Sequence, residues 1–104
     1  MGINESANRA DVNEFVYRGV TVSVGVTQIE AKVAATRDPD RQVLIIYNDS
    51  SVIIYYGPTG VAITGSAKGI PLLPQQEVAI PVGNVGVFLI AGTASNNAIV
   101  QEFG

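Results

Sequence analysis

The sequence contains no cysteine, no histidine and no tryptophan, and charged residues make up only 14% of it. Without cysteine there are no disulfides and no thiolate metal sites. Without histidine the chain lacks the commonest general base and the commonest transition-metal ligand. Six basic residues against nine acidic ones leave a net charge of −3, so the basic footprint that nucleic acid requires is missing. No apolar run nears the ~20 residues of a membrane helix. The opening Met1-Gly2-Ile3-Asn4-Glu5-Ser6 has neither the basic nor the apolar region of a signal peptide. Gly2 and Ser6 fit a myristoylation pattern superficially, but no polybasic stretch follows to support an anchor.

What remains is a chain of 104 residues that is 47% hydrophobic. That length suits one domain with one core, burying roughly 65% of the surface of its unfolded chain. With so little charge, the surface is either covered by Ser, Thr, Asn, Gln and Gly or partly buried against partners. Residues 1–11 are rich in polar side chains (Asn4, Glu5, Ser6, Asn8, Arg9, Asp11) and are expected to form a flexible N-terminal arm, with residues 12–104 as a single β-sandwich domain.

From there the hydrophobic period is two. Val20, Val22, Val24 and Val26 alternate with Thr21, Ser23, Gly25 and Thr27, the pattern of a half-buried strand. Phe15 and Tyr17 begin that strand or one before it. Residues 28–33 are a shorter strand, and Thr36-Arg37-Asp38-Pro39-Asp40 supplies a turn. Residues 42–48 and 52–56 are two apolar runs joined by Asp49-Ser50-Ser51, and this spacing predicts a β-hairpin. Both runs are apolar on both faces, which predicts a second buried surface: a subunit interface carried by Leu44, Ile46, Ile53 and Tyr55, or the arm folded across it. Residues 57–69 are a glycine-rich loop. Residues 70–74 are extended with two prolines, suited to an edge. Strands over 77–80, 85–91 and 98–103 complete the pattern. The expected fold is all-β: an antiparallel β-sandwich, or a partly closed barrel, of about seven to eight short strands.

No catalytic, cofactor or metal site emerges. Gly60 to Lys68 has a phosphate-loop look, yet Ser66 and Ala67 separate Gly65 from Lys68 and no helix follows. Asp38 and Asp40, with Asp49 elsewhere, could hold a calcium ion, which wants six or more oxygens, but two carboxylates flanking a proline are far more often a turn. Ser50 and Ser51 have no histidine to activate them. Tyr17, Tyr47, Tyr55 and Tyr56 would make a sugar platform if they shared a surface, but adjacent Tyr55 and Tyr56 point to opposite faces of a strand. The chain is expected not to be an enzyme.

Arg41-Gln42-Val43-Leu44-Ile45-Ile46-Tyr47-Asn48 is followed by Tyr55-Tyr56-Gly57, then by Gly69-Ile70-Pro71-Leu72-Leu73-Pro74-Gln75-Gln76, Val87-Phe88-Leu89-Ile90-Ala91 and Val100-Gln101-Glu102-Phe103. Over roughly residues 20–103 this order resembles small β-sandwich modules in virion proteins of tailed phages. Those modules show an Arg-led apolar strand ending in Asn, a Tyr/aliphatic-x-Gly strand end and a Gly-x-Pro-Leu-x-Pro-Gly segment. Gln75 stands where they have the last glycine. The resemblance implies no catalytic residues or cofactor. It implies a structural protein of the virion, made in the bacterial host cytoplasm: a capsid decoration (cement) protein that oligomerises, as a trimer by preference, on the major capsid protein lattice. The arm residues Ile3, Asn4, Arg9 and Asp11 would contact the shell. Neither nucleic acid nor membrane is expected as a partner. A neck or tail-accessory ring subunit and a carbohydrate-binding module for host attachment are the alternatives.

Overall fold

The computed structural model describes residues 17–104, the side chains of residues 17 and 18 excepted. The arm expected at 1–11, with Ile3, Asn4, Arg9 and Asp11, lies outside the described residues. Eight strands follow: β1 (Tyr17–Val24), β2 (Ile29–Glu30), β3 (Val43–Asp49), β4 (Ile54–Gly57), β5 (Ile70–Leu72), β6 (Glu77–Pro81), β7 (Phe88–Ala91) and β8 (Asn96–Phe103). They form two four-stranded sheets, β1-β8-β3-β6 and β2-β7-β4-β5, and all their pairings are antiparallel. The sheets stay open, so the architecture is a sandwich and not a barrel. This strand order is that of a jelly roll, in which successive strands mostly alternate between the two sheets.

Strand alternation builds the core. In the first sheet Leu44, Ile46, Val22, Val24, Ala98 and Val100 point inward, and Ile54, Leu72, Leu89 and Ala91 meet them from the second. Leu44, Ile46, Ile54 and Leu89 are completely buried, each stabilising the fold by about 1.5–3 kcal/mol. Four polar residues, Arg41, Asn48, Asn96 and Glu102, are buried as well. Glu102 lies in register with Leu44, and its carboxylate accepts a hydrogen bond from buried Arg41 at 2.8 Å. Arg41 also donates to the carbonyls of Ala31, Gly83 and Val85, tying the segment after β2 and the β6–β7 connection to one end of the sandwich.

The expected hairpin is not there. β3 pairs with β8 and β6, and β4 pairs with β7 and β5 in the other sheet, so residues 50–53 form an arch between sheets. Asn48 holds it. The buried Asn48 Nδ2 donates to the carbonyls of Val52 and Leu72, both at 2.8 Å, and Ser50 Oγ donates to Asn48 Oδ1 at 2.6 Å. Leu44 and Ile46 therefore enter the core from one sheet and Ile54 from the other.

The proline-rich segment is the edge of the second sheet, as expected. At its start a Cβ on Gly69 would lie 2.8 Å from the carbonyl oxygen of Tyr56, so only glycine allows β5 to approach β4 there. At its end Gln76 N–H donates to Leu73 O at 3.1 Å, and Gln75 has φ +65°. With Pro74 preceding it, this is a type II turn, which normally places glycine at the left-handed position. Gln75 takes that conformation while accepting a hydrogen bond from the Tyr47 hydroxyl and donating its own N–H to Asn48 O at 2.8 Å.

Candidate functional site

The expected interface residues separate. Leu44 and Ile46 have no exposed surface and belong to the core, so they cannot form a subunit contact. The physical reason is the arch: with β3 and β4 in opposite sheets, the inner halves of both apolar runs satisfy each other. Ile53, at 36% exposure, and the half-buried Tyr55 lie outside the core. They border a shallow groove with Val52, Ile63 and Thr93, and Lys68 Nζ sits 5.7 Å from the centre of the Tyr55 ring. Tyr56, by contrast, packs against the core.

The outer face of the first sheet is the apolar surface that sequence reasoning misplaced. Register puts Val43 beside Pro81, Ile45 beside Ala79, and Tyr47 beside Ile99. All six point away from the core. Pro81 and Ala79 are exposed and the other four are half-buried. The remaining signal was in the sequence: Val43, Ile45 and Tyr47 form the odd-numbered half of the doubly apolar run. In an ordinary one-face-wet sheet that half would be polar.

A second apolar feature lies between the β5 edge of one sheet and the β6 edge of the other. It is a cleft of about 330 Å³ lined by Tyr56, Pro58, Ile70, Ile80, Val85 and Val87. Ile70 and Val85 stand at 57% and 61% exposure. Lys68 also lines it, and the remaining walls are mostly apolar, which suits an inserted aliphatic or aromatic side chain. No single signal marks it in the sequence, because its walls come from separate strands and loops.

The polar candidates resolve into structural roles. Asp38 Oδ1 accepts the Asp40 N–H at 2.9 Å, and Asp49 lies at the opposite end of β3. Among the described residues no three Asp, Glu, His or Cys side chains come close enough to share a metal. Ser50 is committed to Asn48. In the glycine-rich loop Lys68 N–H closes back on Gly65 O at 3.2 Å, and its ammonium lies over Tyr55. Glu30 pairs with Arg37 at 2.5 Å and Lys32 at 3.9 Å, and Arg37 also donates to Asn84 Oδ1. Such partly exposed pairs contribute little stability; this one fastens the 32–40 segment to the β6–β7 connection. Tyr47 lies on the outer face of the first sheet, Tyr55 on that of the second, and Tyr56 inside. These three tyrosines share no platform.

No protein-family model matches the chain, and no curated protein matches it. Among solved structures it is similar to a chain from Bacillus endospore appendages, described as a novel family of disulfide-linked pili. The identity is 13% and the TM-score 0.44, over 86% of this chain and 85% of that one. A likeness at that level carries no functional weight.

Proposed function

We propose that this protein is a non-enzymatic structural subunit of a tailed-phage virion, a capsid decoration protein that oligomerises and binds the outside of the major capsid protein lattice. The observation that carries this reading is the outer face of the first sheet, where Val43, Ile45, Tyr47 and Ile99 occupy positions that water normally claims. A surface of that kind is suited to contact with another protein. Repeated over a lattice, many weak contacts of this sort add up to tight attachment. The phage setting comes from the order of motifs between residues 20 and 103, and the jelly-roll fold is compatible with it, since viral capsid proteins use that fold among many others.

The test is localisation on virions of the phage that carries the gene. Gold-labelled antibody against the purified protein is expected to mark the whole head surface. Label confined to the neck or tail would replace decoration by the accessory-ring reading. Virions without label anywhere would end the proposal.

A further inference from the structure

The two sheets have four edges, and three are protected. β2 is only two residues long, β5 is three residues with Pro71 at its centre, and β6 ends in Pro81 and starts with Glu77. Short strands, prolines and charges are the devices by which sheets avoid pairing with other chains. β1 has fewer of them: its one charge is Arg18, at its second residue. It is eight residues long, pairs with β8 without a bulge from Tyr17↔Phe103 to Val24↔Asn96, and has no second neighbour among the described residues. Its residues 19–24 contain no proline and no charge. Val20 adds a second sign. It lies in the inward row with Val100 and Ile46, both fully buried, yet remains 36% exposed.

We infer that the free edge of β1 is a strand-addition site for a second copy of this chain, its β1 running antiparallel about a two-fold axis. The occupant follows from the sequence. Residues 1–11 are dominated by Asn, Glu, Ser, Arg and Asp, poor strand formers. Residues 12–16 contain no glycine or proline, the residues that favour a tight turn. β1 is itself self-complementary. With the axis through Thr21, Val20 of one copy stands opposite Val22 of the other, and Gly19 opposite Ser23, so over residues 19–23 apolar meets apolar on the inner face and small residues meet outside, while Arg18 falls opposite Val24. Antiparallel pairing keeps opposed residues on one face, and a two-fold contact uses the same patch on both partners. The result is one continuous eight-stranded sheet. This inference stands apart from the capsid assignment, which needs the outer face and not the edge.

The experiment is native mass by light scattering over a range of concentrations, on the full chain and on Val20→Lys. That variant places an inward charge at the exposed edge position, next to its counterpart in the second copy. The expected result is a dimer at twice the 10.9 kDa chain mass, weakened at least about a hundredfold by Val20→Lys with an unchanged thermal transition. Prolines introduced singly at Val20 and Thr21 guard against misfolding. Successive strand residues point their N–H groups to opposite edges, so one of the two spares the β8 ladder and blocks only the free edge. That variant is expected to be a folded monomer. A wild-type monomer at all concentrations, a trimer, or a dimer that survives both Val20→Lys and the tolerated proline would each overturn the inference.

Discussion

The two faces of β3 are built from similar apolar side chains and have opposite fates. Leu44 and Ile46 point inward and are fully buried; Val43, Ile45 and Tyr47, interleaved with them, point outward and keep part of their surface in water. The inner face of the first sheet, moreover, is the one that carries the buried ion pair and the buried amide of Asn48. Hydrophobicity therefore does not say which face is the core. The opposing sheet does, and polar groups inside are tolerated because each finds its partners: Glu102 on Arg41, and Asn48 on two carbonyls and a hydroxyl.

The largest effect that should separate the faces is removal of one charge from the inner one. Arg41→Met leaves Glu102 buried without its counter-charge and three carbonyls without a donor. Breaking a buried pair in this way costs about 3–5 kcal/mol, so urea denaturation should show a large loss of midpoint. The double variant Arg41→Met with Glu102→Leu should recover much of it, since no unpaired charge remains. Equal midpoints for single and double variants would mean that the pair's value lies in packing alone.

Adjacent isoleucines sharpen the comparison further. Ile46→Ala, in the core, should destabilise by about 2–5 kcal/mol. Ile45→Ala, one residue away on the outer face, should cost about 1 kcal/mol or less by the same melt. On virions the order should reverse: Ile45→Lys is expected to keep the thermal transition and lose attachment in a co-sedimentation assay. If Ile45 variants attach as well as wild type, the outer face is not the contact surface.

Smaller effects come from the ends of β3. Asn48→Ala takes the amide donor from the buried Leu72 carbonyl and one of two side-chain donors from that of Val52, and should cost about 1–3 kcal/mol, whereas Asp49→Ala, exposed beside it, should fall within about 0.5 kcal/mol of wild type. Gln75→Gly should change stability by less than about 1 kcal/mol, because relief of the left-handed backbone offsets the lost Tyr47 hydrogen bond and the entropy of glycine. Gln75→Val, with a branched Cβ at the same positive φ, should destabilise clearly.

Much of this architecture could be read without coordinates. The valine alternation from Val20, the run from Gln42, the proline-marked edge at Ile70 to Leu72 and the return at Phe88 to Ala91 are local patterns, and each became a strand, although the first ends at Val24 and leaves Val26 exposed beyond it. The departure at Gln75 was visible as well, since a glycine position is recognisable from Pro74 before it. The hairpin was not legible. Two apolar strands separated by a short polar linker look the same whether the linker turns within a sheet or arches between sheets. Only the side chain of Asn48, reaching Leu72 from 24 residues away, decides between them.

The sequence by itself determined that the chain is all-β, where its strands lie, and that its side chains offer neither thiol nor imidazole, because these follow from composition and a period of two. The tertiary structure alone decided which strands are neighbours, which half of β3 is core, and which edge is left bare. Those properties arise from contacts such as Tyr17 with Phe103, between residues at opposite ends of the sequence, and a pattern read over a few residues carries no information about its distant partner.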